Sequence, residues 1–255
     1  MVEGECPGNA PIHHAVDWTP ERIERFWNFY SSNVTAHDSY FSRQFGRAII
    51  RLARRHGRLA SPVVDFGCGP GYLLEELLRA GFPCKAIDVS AQAVRRVQER
   101  FAGRPGFLGA AVGRLDRLPL QSGEAGAIFL IEVLEHLSPQ DAATMCAEFR
   151  RVLQPGGRLI VTVPNEEDLQ AGSVACPDCG CVFHRMQHIQ SFSSESVSEW
   201  LRGAGFEPIL VRSFHFKHFA GNWLTRPWGL IRHGVRHLRR RLNPHLLAIG
   251  RRPPT

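Results

Sequence analysis

Val63-Val64-Asp65-Phe66-Gly67-Cys68-Gly69-Pro70-Gly71 is the stretch on which the fold turns. A short run rich in β-branched residues ends in an acid. A glycine-dense turn follows, and a helical pattern begins at Tyr72-Leu73-Leu74-Glu75-Glu76-Leu77-Leu78. The order is strand, tight turn, helix. Glycines at 67, 69 and 71 permit positive φ and let a ligand approach the main chain closely. The helix N-terminus then faces whatever lies on the turn. A glycine-alternating turn alone is weak evidence for a nucleotide-type site, so the segments after it decide.

The second strand candidate, Cys84-Lys85-Ala86-Ile87-Asp88, also ends in an acid. In a doubly wound sheet this places the Asp88 carboxylate beside the first turn, where it accepts hydrogen bonds from ribose hydroxyls. Asp88 equally suits an N-cap for a helix beginning near Ser90, and the two roles are compatible. Downstream stand Leu118-Pro119-Leu120, the strand-like Ala127-Ile128-Phe129-Leu130-Ile131 and Glu132-Val133-Leu134-Glu135-His136-Leu137. Phe149-Arg150-Arg151-Val152-Leu153-Gln154-Pro155-Gly156-Gly157 leads into Arg158-Leu159-Ile160-Val161-Thr162-Val163-Pro164-Asn165. Strands are expected near 62–66, 83–88, 107–112, 126–131 and 157–164, and helices near 71–80, 90–101 and 139–152. Such alternation implies a mostly parallel sheet with helices on both faces. Ser193 to Ala204 reads as a helix, Phe206 to Phe216 as a strand and His245 to Arg251 as a last strand.

In this motif order, from about residue 60 to 165, the chain resembles the class I S-adenosylmethionine (SAM)-dependent methyltransferases, with a continuation to 251. The resemblance implies an α/β fold with a doubly wound, mostly parallel, seven-stranded Rossmann-like sheet whose last two strands pair antiparallel. A single domain over 1–255 is expected. It comprises an N-terminal helical cap (17–58), a SAM-binding core (60–165), a Cys/His insert (166–190) and the C-terminal half of the fold (191–251). For the cofactor, the resemblance implies that Gly67, Cys68, Gly69 and Gly71 cradle the methionyl part. Asp65 would face its amino group and Asp88 its ribose. Val89, Arg114 and Leu115 would border the adenine, with Glu132 a neighbour of the cofactor. The chain departs from the family at Ala125-Gly126, where many members carry Phe-Asp. It departs again at Arg114, where a small acidic or polar residue often contacts the adenine.

Glu132-x-x-Glu135-His136 falls at the carboxyl end of the fourth strand, where ligands bind in such sheets. The segment resembles that of ubiquinone-biosynthesis O-methyltransferases and plant small-RNA 2′-O-methyltransferases, in which it supplies metal ligands and a later histidine completes the site. His188, before Phe192-Ser193 and a helix, matches that histidine. Glu132, Glu135, His136 and His188 would hold a hard cation such as Mg²⁺, which polarises a substrate hydroxyl and lowers its pKa. The alternative is His136 as a lone general base or a helix-start residue, with Glu132 a cofactor neighbour and no metal. His136 and His188 are the candidate catalytic residues.

Cys176-Pro177-Asp178-Cys179-Gly180-Cys181 has the form of a zinc-knuckle half-site, because its turn points two thiolates inward. His188 cannot easily serve two metals, so the expected zinc set is Cys176, Cys179, Cys181 and His184. A reduced, metal-free loop is the main alternative, and a redox pair a lesser one.

Near the N-terminus, Thr19-Pro20-Glu21 signals a helix start. That helix would carry Ile23, Phe26, Trp27 and Tyr30 on one face, and a second helix is expected over 38–56. Tyr30 and Phe41 would either pack in the core or touch cofactor or substrate. The chain has 255 residues, 44% of them hydrophobic, and a net charge of +7. It shows no run of 18 apolar residues and no signal-peptide pattern, which favours the cytosol. Seven cysteines do not pair evenly, and reduced thiols are expected there. No acid follows Glu207, whereas that tail holds nine arginines and one lysine, so the basic character is local. Within it, Leu224, Trp228, Ile231, Val235, Leu238 and Leu242 recur at helical spacing among arginines. This basic amphipathic helix over 224–242 suits self-packing or a homodimer contact, a peripheral membrane contact, or, less well, nucleic acid. The reading is a cytoplasmic SAM-dependent O-methyltransferase acting on a small-molecule, glycan or lipid-linked hydroxyl. The rivals are an RNA 2′-O-methyltransferase and a non-catalytic SAM- or zinc-binding module.

Overall fold

The structure is a computed structural model, and it describes residues 13–33, 38, 40–216 and 244–254. The expected basic helix over 224–242 lies outside the described residues. In chain order the elements are β1 (His14–Ala15), α1 (Pro20–Ser32), α2 (Phe41–Arg55), β2 (Val63–Phe66), α3 (Tyr72–Arg79), β3 (Cys84–Asp88), α4 (Ala91–Phe101), β4 (Phe107–Val112) and β5 (Ala125–Ile131). A 3₁₀ turn (Leu134–His136), α5 (Pro139–Val152), β6 (Leu153–Pro164), β7 (Ser173–Ala175), β8 (Cys181–His184), α6 (Ser194–Gly203), β9 (Glu207–Phe214) and β10 (His245–Arg251) follow.

Seven strands form one sheet in the order β4-β3-β2-β5-β6-β10-β9. β2 pairs in parallel with β3 and β5, and β10 runs antiparallel to both β6 and β9. The alternation of strand side chains creates two cores. Val63, Ala127 and Phe129 face α2, α3 and α4, while Val64, Ile128 and Leu130 face α5 and α6. Every residue of β5 is buried, as a central parallel strand covered on both faces must be. The strand order reverses beside β2, so its C-terminal turn opens at the switch point where open α/β sheets bind ligands.

β6 starts at Leu153, four residues before the expected boundary, because Leu153 is buried and pairs with Ala125 ahead of an irregular register. β7 and β8 of the insert join β1 from the N-terminal segment in a second, three-stranded sheet of order β1-β8-β7. It is fastened to α1 by aromatic contact of Trp18 with Phe183 and by the Tyr30 hydroxyl, which donates to the Arg185 carbonyl at 2.9 Å. Tyr30 is thus a packing residue for the insert. Phe41 packs on Phe45, Phe216 and His245. No described helix is long and apolar enough to cross a membrane.

The Ala125-Gly126 departure has a steric cause. A Cβ on Gly126 would lie 2.3 Å from the carbonyl carbon of Ala60, whose neighbouring chain also receives Gly126 N–H at the Pro62 carbonyl (2.8 Å). Backbone cannot yield as a side chain does. Gly126→Ala is therefore expected to destabilise the fold by at least about 1–3 kcal/mol, the usual cost of overpacking. An unchanged denaturant midpoint would show that the chain at Ala60 is free to move.

Candidate active site

The turn after β2 is built as expected, but its amides are already used. Gly67, Gly69 and Gly71 have φ of 73°, 47° and 81°. Gly67 N–H and Cys68 N–H both donate to the Ile87 carbonyl, at 2.8 and 3.2 Å, and Gly71 N–H donates to the Cys68 carbonyl at 2.8 Å. Gly69 N–H donates to Asp88 Oδ2 at 2.9 Å. The turn therefore offers a ligand close approach to bare backbone, while these four N–H groups are already taken up within the protein. The absent side chains are a steric need. A Cβ on Gly67 would meet Val133 at 2.5 Å, and one on Gly71 would meet Phe101 at 2.8 Å.

Asp88 is nearly buried and braces this turn from β3, with Oδ1 accepting Ser90 N–H at 2.9 Å. The N-cap of α4 is Ser90 itself. Burial raises the Asp88 pKa, against three backbone hydrogen bonds that lower it. Asp65 sits at the end of β2 with one carboxylate oxygen lacking a partner. Burial, opposed by a hydrogen bond to Leu74 backbone and assisted by the Asp88 charge, pushes its pKa up to about 7. Val89 exposes an apolar surface next to Asp88, and Leu115 packs against the second core. Arg114 does not turn inward. Its side chain is exposed and forks onto Asp116 at 3.0 and 3.1 Å.

Two residues of this crevice were not legible in the motifs. Tyr40 lies over Gly69, with its ring 3.4 Å from where a Cβ there would stand, and burial together with the Asp88 charge raises its pKa to about 12. Asn28 of α1 accepts the Ser90 hydroxyl at 2.8 Å.

The second half of the site lies beyond β5. Glu132 has a φ of 53°, a strained conformation for a non-glycine residue. Its carboxylate lies 3.2 Å from His245 Nδ1. Of the four expected metal residues, the structure gathers three. One ligand atom from each of Glu135, His136 and His188 falls within 4.8 Å of the others. Glu132 is not among them, because it is directed to β10.

Glu135 is fully buried and neither of its oxygens has a hydrogen-bond partner. Its Oε1 is 4.0 Å from His136 Nε2 and 3.9 Å from His188 Nε2. Burial first, and the Glu132 charge second, raise its pKa well above the carboxylate range. His136 is driven the other way, to about 3, by burial and the neighbouring His188, against hydrogen bonds to the Gln187 and Glu132 backbone. His136 Nδ1 lies 3.3 Å from the Gln187 carbonyl. A carbonyl only accepts, so Nδ1 carries the proton and Nε2 keeps its lone pair.

Gln187, Glu167 and Trp27 complete the cluster and had no motif to announce them. Gln187 is buried and has a φ of 60°. Its amide donates to the His136 carbonyl at 3.2 Å and accepts from Trp27 Nε1 at 2.9 Å. Trp27 also lays its ring edge-on to His136, with centroids 4.8 Å apart.

The zinc expectation needs a correction at His184. Cys181 and His184 stand at the two ends of β8. Three strand residues span about 10 Å and reverse the face, so the two side chains diverge. Accordingly His184 joins Glu167 and His188 in a second group of ligand-type atoms, away from the thiols. Cys176 and Cys181 instead meet across the β7–β8 hairpin, where Cys176 N–H donates to the Cys181 carbonyl at 2.8 Å. Backbone N–H groups of Cys179 and Asp178 aim at the Cys176 sulfur and lower its pKa.

Comparison with known proteins places the chain in a family and agrees with the fold. A methyltransferase domain family model matches residues 37–211. A ubiquinone biosynthesis O-methyltransferase from Methylococcus capsulatus is 31% identical over 208 residues, covering 78% of this chain and 83% of that protein. A probable S-adenosylmethionine-dependent methyltransferase from Mycolicibacterium smegmatis is 28% identical over 173 residues, covering 68% of this chain and 61% of that protein. The chain spans 35–61% of the length of the first curated relatives it matches. Among solved structures, a Haloferax volcanii methyltransferase in complex with the Trm112 methyltransferase activator superposes with a TM-score of 0.63 at 21% identity. That match covers 89% of this chain and 97% of the other.

The lowered pKa of His136 sets a direct test. Its imidazole should remain neutral, with no change in ring resonances, as NMR spectra are taken from pH 8 to pH 5. A titration midpoint near the ordinary value of about 6.5 would contradict the enclosed environment described.

Proposed function

The chain belongs to the methyltransferase domain family, and from that premise we propose that it transfers a methyl group from SAM to a hydroxyl oxygen, with a divalent cation held by Glu135, His136 and His188. The observation that carries the reading is the convergence of three acceptors with no donor among them. The Glu135 carboxylate has no partner, and the Nε2 atoms of two histidines face it at 4.0 and 3.9 Å. A buried carboxylate in such company needs either a proton or a cation to offset its charge. Imidazole nitrogens with a carboxylate oxygen form a fitting donor set for a divalent metal. When bound, the cation lowers the pKa of a coordinated hydroxyl.

The chain's own groups do the positioning. The sulfonium is already a good leaving group, so the demand is alignment of nucleophile, methyl and sulfur. Asp65 would receive the cofactor's ammonium, since its partnerless oxygen is buried at the tip of β2. Asp88 would receive the ribose hydroxyls, since backbone N–H groups of Gly69, Val89 and Ser90 occupy three of the roughly four acceptor positions of a carboxylate. The apolar face of Val89 suits the adenine. The named activity of the Methylococcus capsulatus relative supports oxygen as the acceptor atom. The substrate class proposed is a small-molecule, glycan or lipid-linked hydroxyl.

Glu135→Gln keeps the shape and removes the charge. Using methyl-labelled SAM and fractionated cell extract as acceptor source, the expected loss of transfer is at least about 100-fold, in the range seen when a proton-handling group is removed. SAM affinity should stay within about twofold. Chelation should reproduce the loss and Mg²⁺ should reverse it. Undiminished transfer by the variant would overturn the assignment.

Asp65 predicts a pH dependence of cofactor binding. With its pKa raised to about 7, the carboxyl is neutral below that pH and cannot pair with an ammonium. SAM affinity measured by calorimetry should therefore fall as pH drops from 8 to 6, by at most about tenfold per unit for one proton. Asp65→Asn should flatten the profile. The same raised pKa means that the folded protein without cofactor binds more protons than the unfolded chain between about pH 4 and 7. Its contribution to stability is present at the acid end of that window and is lost as pH rises through it.

A further inference from the structure

His188 is held by more than its place in the chain. Its Nδ1 lies 2.5 Å from Glu167 Oε2, and the other oxygen of that carboxylate lies 3.5 Å from His184 Nε2. The rings of His184 and His188 stack at 4.5 Å with 20° between their planes. His184 Nδ1 accepts two backbone N–H groups, from Met186 at 3.3 Å and His188 at 3.2 Å. A neutral imidazole that accepts at Nδ1 carries its proton on Nε2, so His184 directs an N–H at Glu167. A ring so committed has no lone pair left for a metal. This removes His184 from any ligand set, although its atoms lie within ligand distance of Glu167 and His188.

The geometry points to Glu167 and His184 as positioning residues for His188. The Glu167 carboxylate, oriented by His184, accepts the His188 Nδ1 proton and so presents the His188 Nε2 lone pair to Glu135. The arrangement follows a general rule of metal sites, that a carboxylate behind a ligating imidazole fixes its tautomer and raises its basicity. The chain also makes room for it. A Cβ on Gly172 would stand 1.8 Å from His184 Nε2, so glycine at 172 leaves the imidazole the space it occupies.

The role in metal binding rests on the cation reading above; the tautomer does not. The experiment separates them. Histidine ring ¹⁵N–¹H correlation spectra of the metal-free protein should show His188 protonated at Nδ1. Glu167→Ala should shift it toward a mixture of tautomers, and Glu167→Gln, which keeps an acceptor oxygen, should retain more of the wild-type state. Gly172→Ala should disturb His188 in the same direction by displacing His184, with every ionisable group still present. Mn²⁺ binding followed by electron paramagnetic resonance should weaken about 10–100-fold in Glu167→Ala, with SAM affinity unchanged. If Glu167→Ala fails to fold, the Glu167→Gln and Gly172→Ala spectra decide. A wild-type tautomer in all folded variants overturns the proposal. Failure of the wild type to bind Mn²⁺, with the tautomer shift intact, overturns the cation reading alone.

Discussion

Glu135 is a carboxylate without exposure, without a hydrogen-bond donor, and with two imidazole lone pairs for neighbours. Desolvating one unpaired carboxylate costs several kcal/mol or forces it to take a proton. A fold does not retain such a group by accident of packing, because an apolar residue of similar volume would fit the same space at no such cost. Much of the local architecture makes sense as the means of keeping Glu135 in that position. Its own carbonyl accepts N–H from Ile189 at 2.9 Å and from Gln190 at 3.2 Å, so the insert is bonded to the same residue whose side chain it encloses. The 3₁₀ turn after β5 aims the carboxylate inward, and the strained φ of Glu132 begins that change of direction.

The two histidines are held in one manner by different groups. His136 Nδ1–H donates to the Gln187 carbonyl and His188 Nδ1–H to the Glu167 carboxylate. In each case the anchored nitrogen faces away from Glu135 and the lone pair faces toward it. Gln187 is central to both. Its backbone carbonyl holds His136, its side chain bridges His136 and Trp27, and its left-handed conformation turns the chain so that His188 N–H reaches His184 Nδ1. A residue of ordinary φ at 187 would open that turn. This is backbone strain located at the histidine cluster and offset by hydrogen bonds.

The order of strands and helices was readable because it rests on local patterns. Val63–Phe66, the glycine turn and the helix after it are contiguous, and their periodicity alone dictates strand, turn and helix. Glu135, His136 and His188 were also legible, through spacing and resemblance. What could not be read were partners set by distance along the chain. Trp27 and Gln187 are 160 residues apart, and Glu167 precedes the histidine it holds by 21. The spacing of glycines showed where the backbone bends but not that its amides were already bonded to Ile87 and Asp88. His184 neighbours Cys181 in sequence but not in space, because a strand sends residues three apart to opposite faces.

That alternation also gives the small sheet its place in the molecule. Phe183 of β8 meets Trp18 at the start of α1, whereas its neighbour His184 reaches Glu167 and His188. One strand of four residues thus joins the N-terminal segment to the histidine cluster, with one face for each. β1 pairs with that strand in register at His14 and Cys181, so the segment before α1 is hydrogen-bonded to the element that carries His184. α1 in turn supplies Asn28 to the cofactor side and Trp27 to the histidine side. The two halves of the site lie at the ends of different strands of the large sheet, yet a single helix turn touches both. Through these adjacent residues one turn of α1 is in contact with both groups, which the pairing of β2 with β5 already sets side by side.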